Sequence, residues 1–285
     1  MKLYKIAKGV LLEYHDAAYI IDDEWDELIN RDDLAGYLQS VSADTTPITA
    51  EVKNEYLTGH LLPPIGSQEV WAAGVTYLKS RDARMEESET SGGASLYDKV
   101  YDAPRPELFF KAIAQRVSGH GAEVYIRKDS EWNVPEPELT LFINSKGNIQ
   151  GYTIGNDMSS RSIEGENALY LPQAKIYEKS AALGPCLWVA PQPIAAESVI
   201  KMVIKRNGNS VYEDATTVSR MKRSLTELAG YLYSECDFPS GCFLMTGTCL
   251  VPPPTFTLQQ DDVVEITIDG IGTLINTIGL NPKHK

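Results

Sequence analysis

The stretch Trp132-Asn133-Val134-Pro135-Glu136-Pro137-Glu138-Leu139-Thr140-Leu141 constrains the fold more than any other part of the chain. Two prolines remove backbone donors from it. Residues two apart on an extended chain face the same way, so Glu136 and Glu138 present two carboxylates side by side. Like charges this close repel, and a cation between them relieves the repulsion. Standing alone, the segment reads better as a solvated edge strand blunted by proline and charge.

A second segment bears on the choice. Tyr152-Thr153-Ile154-Gly155-Asn156-Asp157-Met158-Ser159-Ser160-Arg161 closes an apolar run with an aspartate just where loop chemistry begins. Asp157 is therefore a candidate third ligand, although by itself it is also consistent with an Asx turn or helix cap. Three carboxylates with positions left for water and substrate suit Mg²⁺, admit Mn²⁺ or Ca²⁺, and suit Zn²⁺ poorly. The histidines His15, His60, His120 and His284 are too scattered to form a histidine-rich site, and Cys186, Cys236, Cys242 and Cys249 show no CxxC spacing. Further on, Leu171 to Pro185 carries Lys175, the candidate base if the cation holds a 2-oxo acid, since a nearby lysine could then take a proton alpha to the carbonyl. Lys179, four residues on, is the alternative, and either is otherwise an ordinary surface lysine.

Strand signals surround these segments: Ala122 to Arg127, Leu139 to Asn144, Gly151 to Asn156, a hairpin from Val199 to Tyr212 turning at Asn207-Gly208, and another from Val263 to Ile278 turning at Asp269-Gly270, both of the primed type. Ser224 to Cys236 places Leu225, Leu228, Ala229 and Leu232 on one helical face. Ahead of them, Lys2 to Asp22 reads as a short hairpin and Trp25 to Val41 as a helix, followed by a Thr-, Pro- and Gly-rich connector from Ser42 to Gly66. The expected class is α+β, mostly β, with a small N-terminal α+β domain over residues 1–65 and a catalytic domain over 66–285. A length of 285 residues accommodates both. The net charge of −13 argues against general nucleic-acid binding. With no membrane-length apolar segment and no signal-like start, a cytoplasmic protein is expected.

In their order along the chain, these pieces resemble the fumarylacetoacetate hydrolase family. The resemblance rests on Arg105-Pro106-Glu107-Leu108-Phe109-Phe110-Lys111, Glu136-x-Glu138, Gly155-Asn156-Asp157-Met158-Ser159-Ser160-Arg161, Lys175 with Gly184-Pro185, and Thr246-Gly247-Thr248, covering roughly residues 70 to 280. It implies a β-roll catalytic domain, a divalent cation held by Glu136, Glu138 and Asp157, Lys175 working beside it, and a homo-oligomer, dimer or tetramer. One segment departs from the pattern. Family hydrolases carry a lid whose His and Glu activate water, whereas Gly74-Val75-Thr76-Tyr77-Leu78-Lys79-Ser80-Arg81-Asp82-Ala83 has Ser80 and Ala83 at those places. This altered lid, with Ile163 to Asn167 and Leu169 to Lys175, resembles a branch that dehydrates 2-keto-3-deoxy sugar acids with Mg²⁺, giving 2,5-dioxopentanoate. In that branch Glu107 becomes a second acid/base group facing Lys175. Ser80, Arg81 and Arg84 on the lid, with Gly247 and Thr248, are then expected to meet the small 2-oxo acid substrate. Two rival readings are hydrolysis of an acylpyruvate or diketo sugar acid, and an inactive β-rich protein holding a structural metal ion.

Overall fold

A computed structural model describes residues 1–59, 61–87 and 99–283; His60, His284 and the side chain of Ala83 lie outside the described residues. The main sheet runs in the order β3 (Ala17–Ile21), β2 (Val10–Tyr14), β1 (Lys2–Lys5), β12 (Ala181–Trp188), β10 (Ile149–Asp157), β9 (Pro137–Ile143), β15 (Cys242–Met245), β4 (Glu69–Gly74), β5 (Glu107–Ile113), and β6 (Val117–Ser118) pairs with β12 off that path. A five-stranded sheet follows the order β14 (Asn209–Thr217), β13 (Val199–Arg206), β16 (Val263–Ile268), β17 (Gly272–Leu280), β7 (Glu123–Ile126). A short ribbon pairs β8 (Asn133–Val134) with β11 (Ser159–Ser160). The fold is mostly β, in agreement with the sequence patterning.

Strand β9 shows why the apolar run around it is continuous and not alternating. Every one of its residues is buried. Leu139, Leu141 and Ile143 point into a core shared with Ile200, Met202, Val264 and Ile266 of the five-stranded sheet. Phe142, on the other face, packs in a second core with Trp25, Leu28, Leu34 and Leu38. A strand covered on both sides has no solvent face to mark with polar residues. Truncating a fully buried aromatic such as Phe142 to Ala costs about 3–5 kcal/mol.

The N-terminal segment differs from its sequence reading in three ways. Gly9, at φ 87°, adds a turn, so the expected hairpin is a three-strand meander whose β1 pairs with β12. The expected helix breaks into α1 (Trp25–Ile29) and α2 (Leu34–Asp44), and between them Asp32 accepts from Asn144, Lys146 and Asn148 of the β9–β10 turn. The connector holds a helix, α3 (Ala50–Thr58), capped by Thr49. It has no buried residue, and therefore no apolar stripe to reveal it. The proposed domain boundary near residue 65 falls between α3 and β4.

The turns divide in the same manner. Asn207 and Gly208 both take left-handed φ, 51° and 79°, as a type I′ hairpin requires. The β16–β17 connection is one residue longer than expected: Ile268 pairs with Gly272, and of Asp269, Gly270 and Ile271 only Gly270 has positive φ. Ile271 is fully buried, so its side chain draws the turn inward. The helix Leu225–Tyr233 forms where expected, with Ser224 accepting from the Glu227 amide and Leu228, Ala229 and Leu232 buried.

The register of the two central strands positions the carboxylates. β9 and β10 are antiparallel, with Glu138 opposite Gly155 and Pro137 opposite Asn156. A Cβ on Gly155 would lie 2.4 Å from Thr140 Oγ1, so the close approach of the two strands needs glycine there.

Candidate metal centre and active site

The β9–β10 register carries Glu136 and Glu138 to the level of Asp157, whose amide donates to the Glu136 carbonyl at 2.9 Å. One carboxylate oxygen from each of the three lies within 4.8 Å of the others, and all three residues are buried. Asp157 ends β10 and Pro137 opens β9, so the cluster sits at one rim of the sheet, where the ladder stops.

Cations surround it. Lys175 closes the short helix Leu171–Lys175, and its Nζ donates to Glu136 Oε2 at 2.8 Å, Asp157 Oδ2 at 3.0 Å and Ser159 Oγ at 2.6 Å. Arg161 donates to Glu136 Oε1 at 2.8 Å. Lys111, on β5 and fully buried, reaches Asp157 Oδ1 at 2.5 Å, the Met158 carbonyl at 3.0 Å and the Lys175 carbonyl. Burial penalises the charge on Glu136, yet Lys175, Arg161 and Arg84 hold its carboxyl well below the usual range. Glu138 is placed differently. No Lys or Arg among the described residues forms an ion pair with it, and its carboxylate accepts instead from the Gly247 amide at 2.6 Å. Burial, with Asp157 and Glu136 beside it, pushes its pKa well up. Three hard oxygen donors, one of them with no ion-pair partner among the described residues, fit a divalent cation.

Glu107 opens β5 opposite Gly74, and a Cβ on Gly74 would lie 1.8 Å from Glu107 Oε2. The residue is half-buried, but that oxygen is buried and has no hydrogen-bond partner among the described residues. Burial raises its pKa, against the pull of Arg84 and Lys175.

The lid begins at the end of β4 and enters α4 (Leu78–Glu87). Ser80 lines the cavity beside the cluster, with its hydroxyl donating to the Tyr77 carbonyl at 2.7 Å. Thr248 also lines the cavity, as does Gly247, whose amide is committed to Glu138. Arg84 lines it too and ion-pairs with Glu164. Arg81 is not brought into this group: it pairs with Asp82 at 2.8 Å and lies over the Tyr101 ring. Nor is Lys179, whose Nζ is 3.7 Å from Glu123 and over the Tyr125 ring.

The family model described as fumarylacetoacetate (FAA) hydrolase C-terminal matches residues 83–279. The chain belongs to the fumarylacetoacetate hydrolase family. Within that family it is 46% identical over 240 residues, 84% of this chain and 81% of the other, to a probable 2-keto-3-deoxyxylonate dehydratase of Haloferax volcanii. It is 42% identical over 219 residues, 75% and 73% of the two chains, to the 2-dehydro-3-deoxy-D-arabinonate dehydratase of Saccharolobus solfataricus. A solved structure of 2-keto-3-deoxy-D-arabinonate dehydratase complexed with magnesium and 2,5-dioxopentanoate superposes with a TM-score of 0.84 at 33% identity, covering 99% of each chain.

Sequence reasoning quoted several members of this fumarylacetoacetate hydrolase-type site without assigning them a role. Lys111 interrupts the apolar run Leu108 to Ile113, and a lysine among apolar residues calls for a carboxylate partner. Arg161 and Glu164 follow Asp157 by four and seven residues, but only the folded chain shows that their side chains turn back to the cluster.

Proposed function

We propose that this protein is a Mg²⁺-dependent dehydratase of a 2-keto-3-deoxy sugar acid such as 2-keto-3-deoxy-D-arabinonate, releasing 2,5-dioxopentanoate. The observation that supports it most is a lysine amine in direct contact with two of three clustered, buried carboxylates, beside a lid with no water-activating pair at its expected place. Glu136, Glu138 and Asp157 would hold the cation. When bound, it would draw the substrate's 2-oxo acid group in and stabilise negative charge developing on the carbonyl oxygen.

The chain's own residues supply the rest. The oxygens that now hold the Lys175 ammonium are those a divalent ion would claim, so ion and ammonium compete for them. As the amine, Lys175 takes a proton from C3. Glu107, whose burial raises its affinity for a proton, gives one to the C4 hydroxyl, which leaves as water. The C3–C4 double bond so formed moves to C4–C5 as a proton leaves C5 and one returns to C3, and the resulting enol gives up its hydroxyl proton and takes one at C4, leaving C5 as the aldehyde. Arg161 and Lys111 keep Glu136 and Asp157 aimed. Ser80, Gly247 and Thr248 border the cavity and are the proposed substrate-facing groups; Arg81 reaches it only if the lid shifts. No described helix is long and apolar enough to cross a membrane, and a cytoplasmic location is part of the proposal, as is a homo-oligomer, dimer or tetramer.

The test is Mg²⁺-dependent aldehyde release from 2-keto-3-deoxy pentonates, with the metal-stripped protein as control. Release of pyruvate plus a carboxylic acid from acylpyruvates, with no aldehyde from any pentonate, would point to the hydrolase reading. No turnover of any 2-oxo acid, with Ca²⁺ raising the melting temperature, would point to an inactive metal-binding protein.

A further inference from the structure

Four buried charged groups form a line from the lid to the cluster. Arg84, on α4, ion-pairs with Glu164, and their side chains are 6% and 1% exposed. Glu164 belongs to the short helix Arg161–Glu166, which starts four residues after Asp157. Arg161 Nε lies 3.9 Å from Glu164 Oε2, and the same guanidinium holds Glu136 Oε1 at 2.8 Å. The lid's first foot is pinned separately: Thr76 donates to the Thr246 carbonyl at 2.7 Å, and its own carbonyl accepts from the Lys222 amide at 2.9 Å. Among the described side chains of α4, Arg84 is the one whose ion pair leads toward the cluster. A buried pair of this kind contributes little net stability, because desolvation offsets attraction, but it fixes one arrangement, since stranding either partner is expensive.

We infer that Arg84 and Glu164 form a latch coupling the position of α4 to the aim of Glu136, with Glu164 as a positioning residue and Arg84 committed to it instead of clamping the substrate's carboxylate. The inference rests on the metal-centre reading proposed for Glu136, Glu138 and Asp157. It gives Glu164 a task that no reaction step requires, and it accounts for an acid whose side chain is 1% exposed between Arg84 and Arg161. The lid docks when Glu164 receives Arg84. A docked lid holds Arg161 against Glu136.

The test is the double variant Arg84→Met/Glu164→Gln, which breaks the latch while leaving the net charge unchanged and no charge stranded. Two readouts need no turnover: Mg²⁺ affinity by titration calorimetry, and hydrogen–deuterium exchange of the α4 amides. The expected result is Mg²⁺ binding weaker by on the order of tenfold, within the range for groups that orient a metal ligand, and faster exchange across α4. Electrostatics alone predicts unchanged affinity for the double variant. For Arg84→Met it predicts tighter binding, because a positive charge is lost, whereas the latch predicts weaker binding. Should the single variant not fold, the double variant decides. Wild-type affinity with unchanged α4 exchange overturns the inference, as does tighter Mg²⁺ binding by Arg84→Met. So does loss of binding of pyruvate, as a minimal 2-oxo acid, in Arg84→Met but not in Glu164→Gln. A wild-type protein that binds no divalent ion sinks the metal-centre reading, and α4 exchange then decides the latch by itself.

Discussion

Lys175→Met separates the structural task of the lysine from the chemical one proposed for it. Its Nζ bridges Glu136 and Asp157 at 2.8 and 3.0 Å, with 1% of the side chain exposed. Removing one partner of a buried ion pair costs about 3–5 kcal/mol, because the remaining charge is stranded. Here Arg161 still holds Glu136 and Lys111 still holds Asp157, so a single such penalty is expected. For 285 residues the unfolding entropy at the midpoint is about 0.6 kcal/mol per degree, from ~2.1 cal/mol/K per residue. The metal-free variant should therefore melt about 5–8 °C below wild type. Mg²⁺ should raise its melting point more than that of wild type, since the ion no longer competes with an ammonium for the same oxygens. Turnover should still fall by on the order of 10²–10⁴-fold with the metal bound, the usual loss for a positioned base. Scanning calorimetry with and without Mg²⁺ reads the first two, and deuterium exchange at C3 of an analogue lacking the C4 hydroxyl reads the third. If Lys175→Met exchanges C3 at the wild-type rate while Lys179→Met does not, the assignment of the base is wrong.

Three further outcomes are expected. Glu138→Ala should abolish both Mg²⁺-dependent activity and thermal stabilisation by Mg²⁺, and full activity in that variant would refute its place in the metal centre. Because burial and two neighbouring carboxylates raise the pKa of Glu138, metal binding should release a proton there. Mg²⁺ affinity should then fall, by up to about tenfold per unit, as pH drops through the raised value, and calorimetry in buffers of different ionisation enthalpy would detect the proton. By the same sign, the metal-free protein should lose stability as pH rises above the ordinary carboxyl range, since the unfolded chain gives up that proton more readily. With the Ser80 hydroxyl tied to the Tyr77 carbonyl, acylpyruvate hydrolysis should be negligible beside sugar-acid dehydration when the same preparation is assayed for pyruvate and for aldehyde.

The parts of the fold and site that were legible in the sequence are those set by short-range rules. The closeness of the Glu136 and Glu138 carboxylates, the Asn207-Gly208 turn and the Leu225–Tyr233 helix each follow from a few neighbouring residues and a periodicity. What could not be read depends on distant partners. The break between α1 and α2 follows from Asp32 meeting the β9–β10 turn more than a hundred residues away. Helix α3 carries no apolar stripe because it buries no residue. Arg161, Glu164 and Lys111 are ordinary charges until the fold encloses them. The Gly247 amide is likewise spent on Glu138, which no local pattern reveals.

The pairing of Glu138 with Gly155 reaches beyond the site into how the chain sorts its strands. Slipping β9 by one residue against β10 would turn Glu138 to the opposite face and set the Thr140 hydroxyl, which occupies the room left by Gly155, against a residue with a side chain. Mispaired chains would thus fail twice, by a clash and by a scattered ligand set. A divalent ion present during refolding would accordingly act as a proofreader, retaining only chains whose two central strands have found their correct offset.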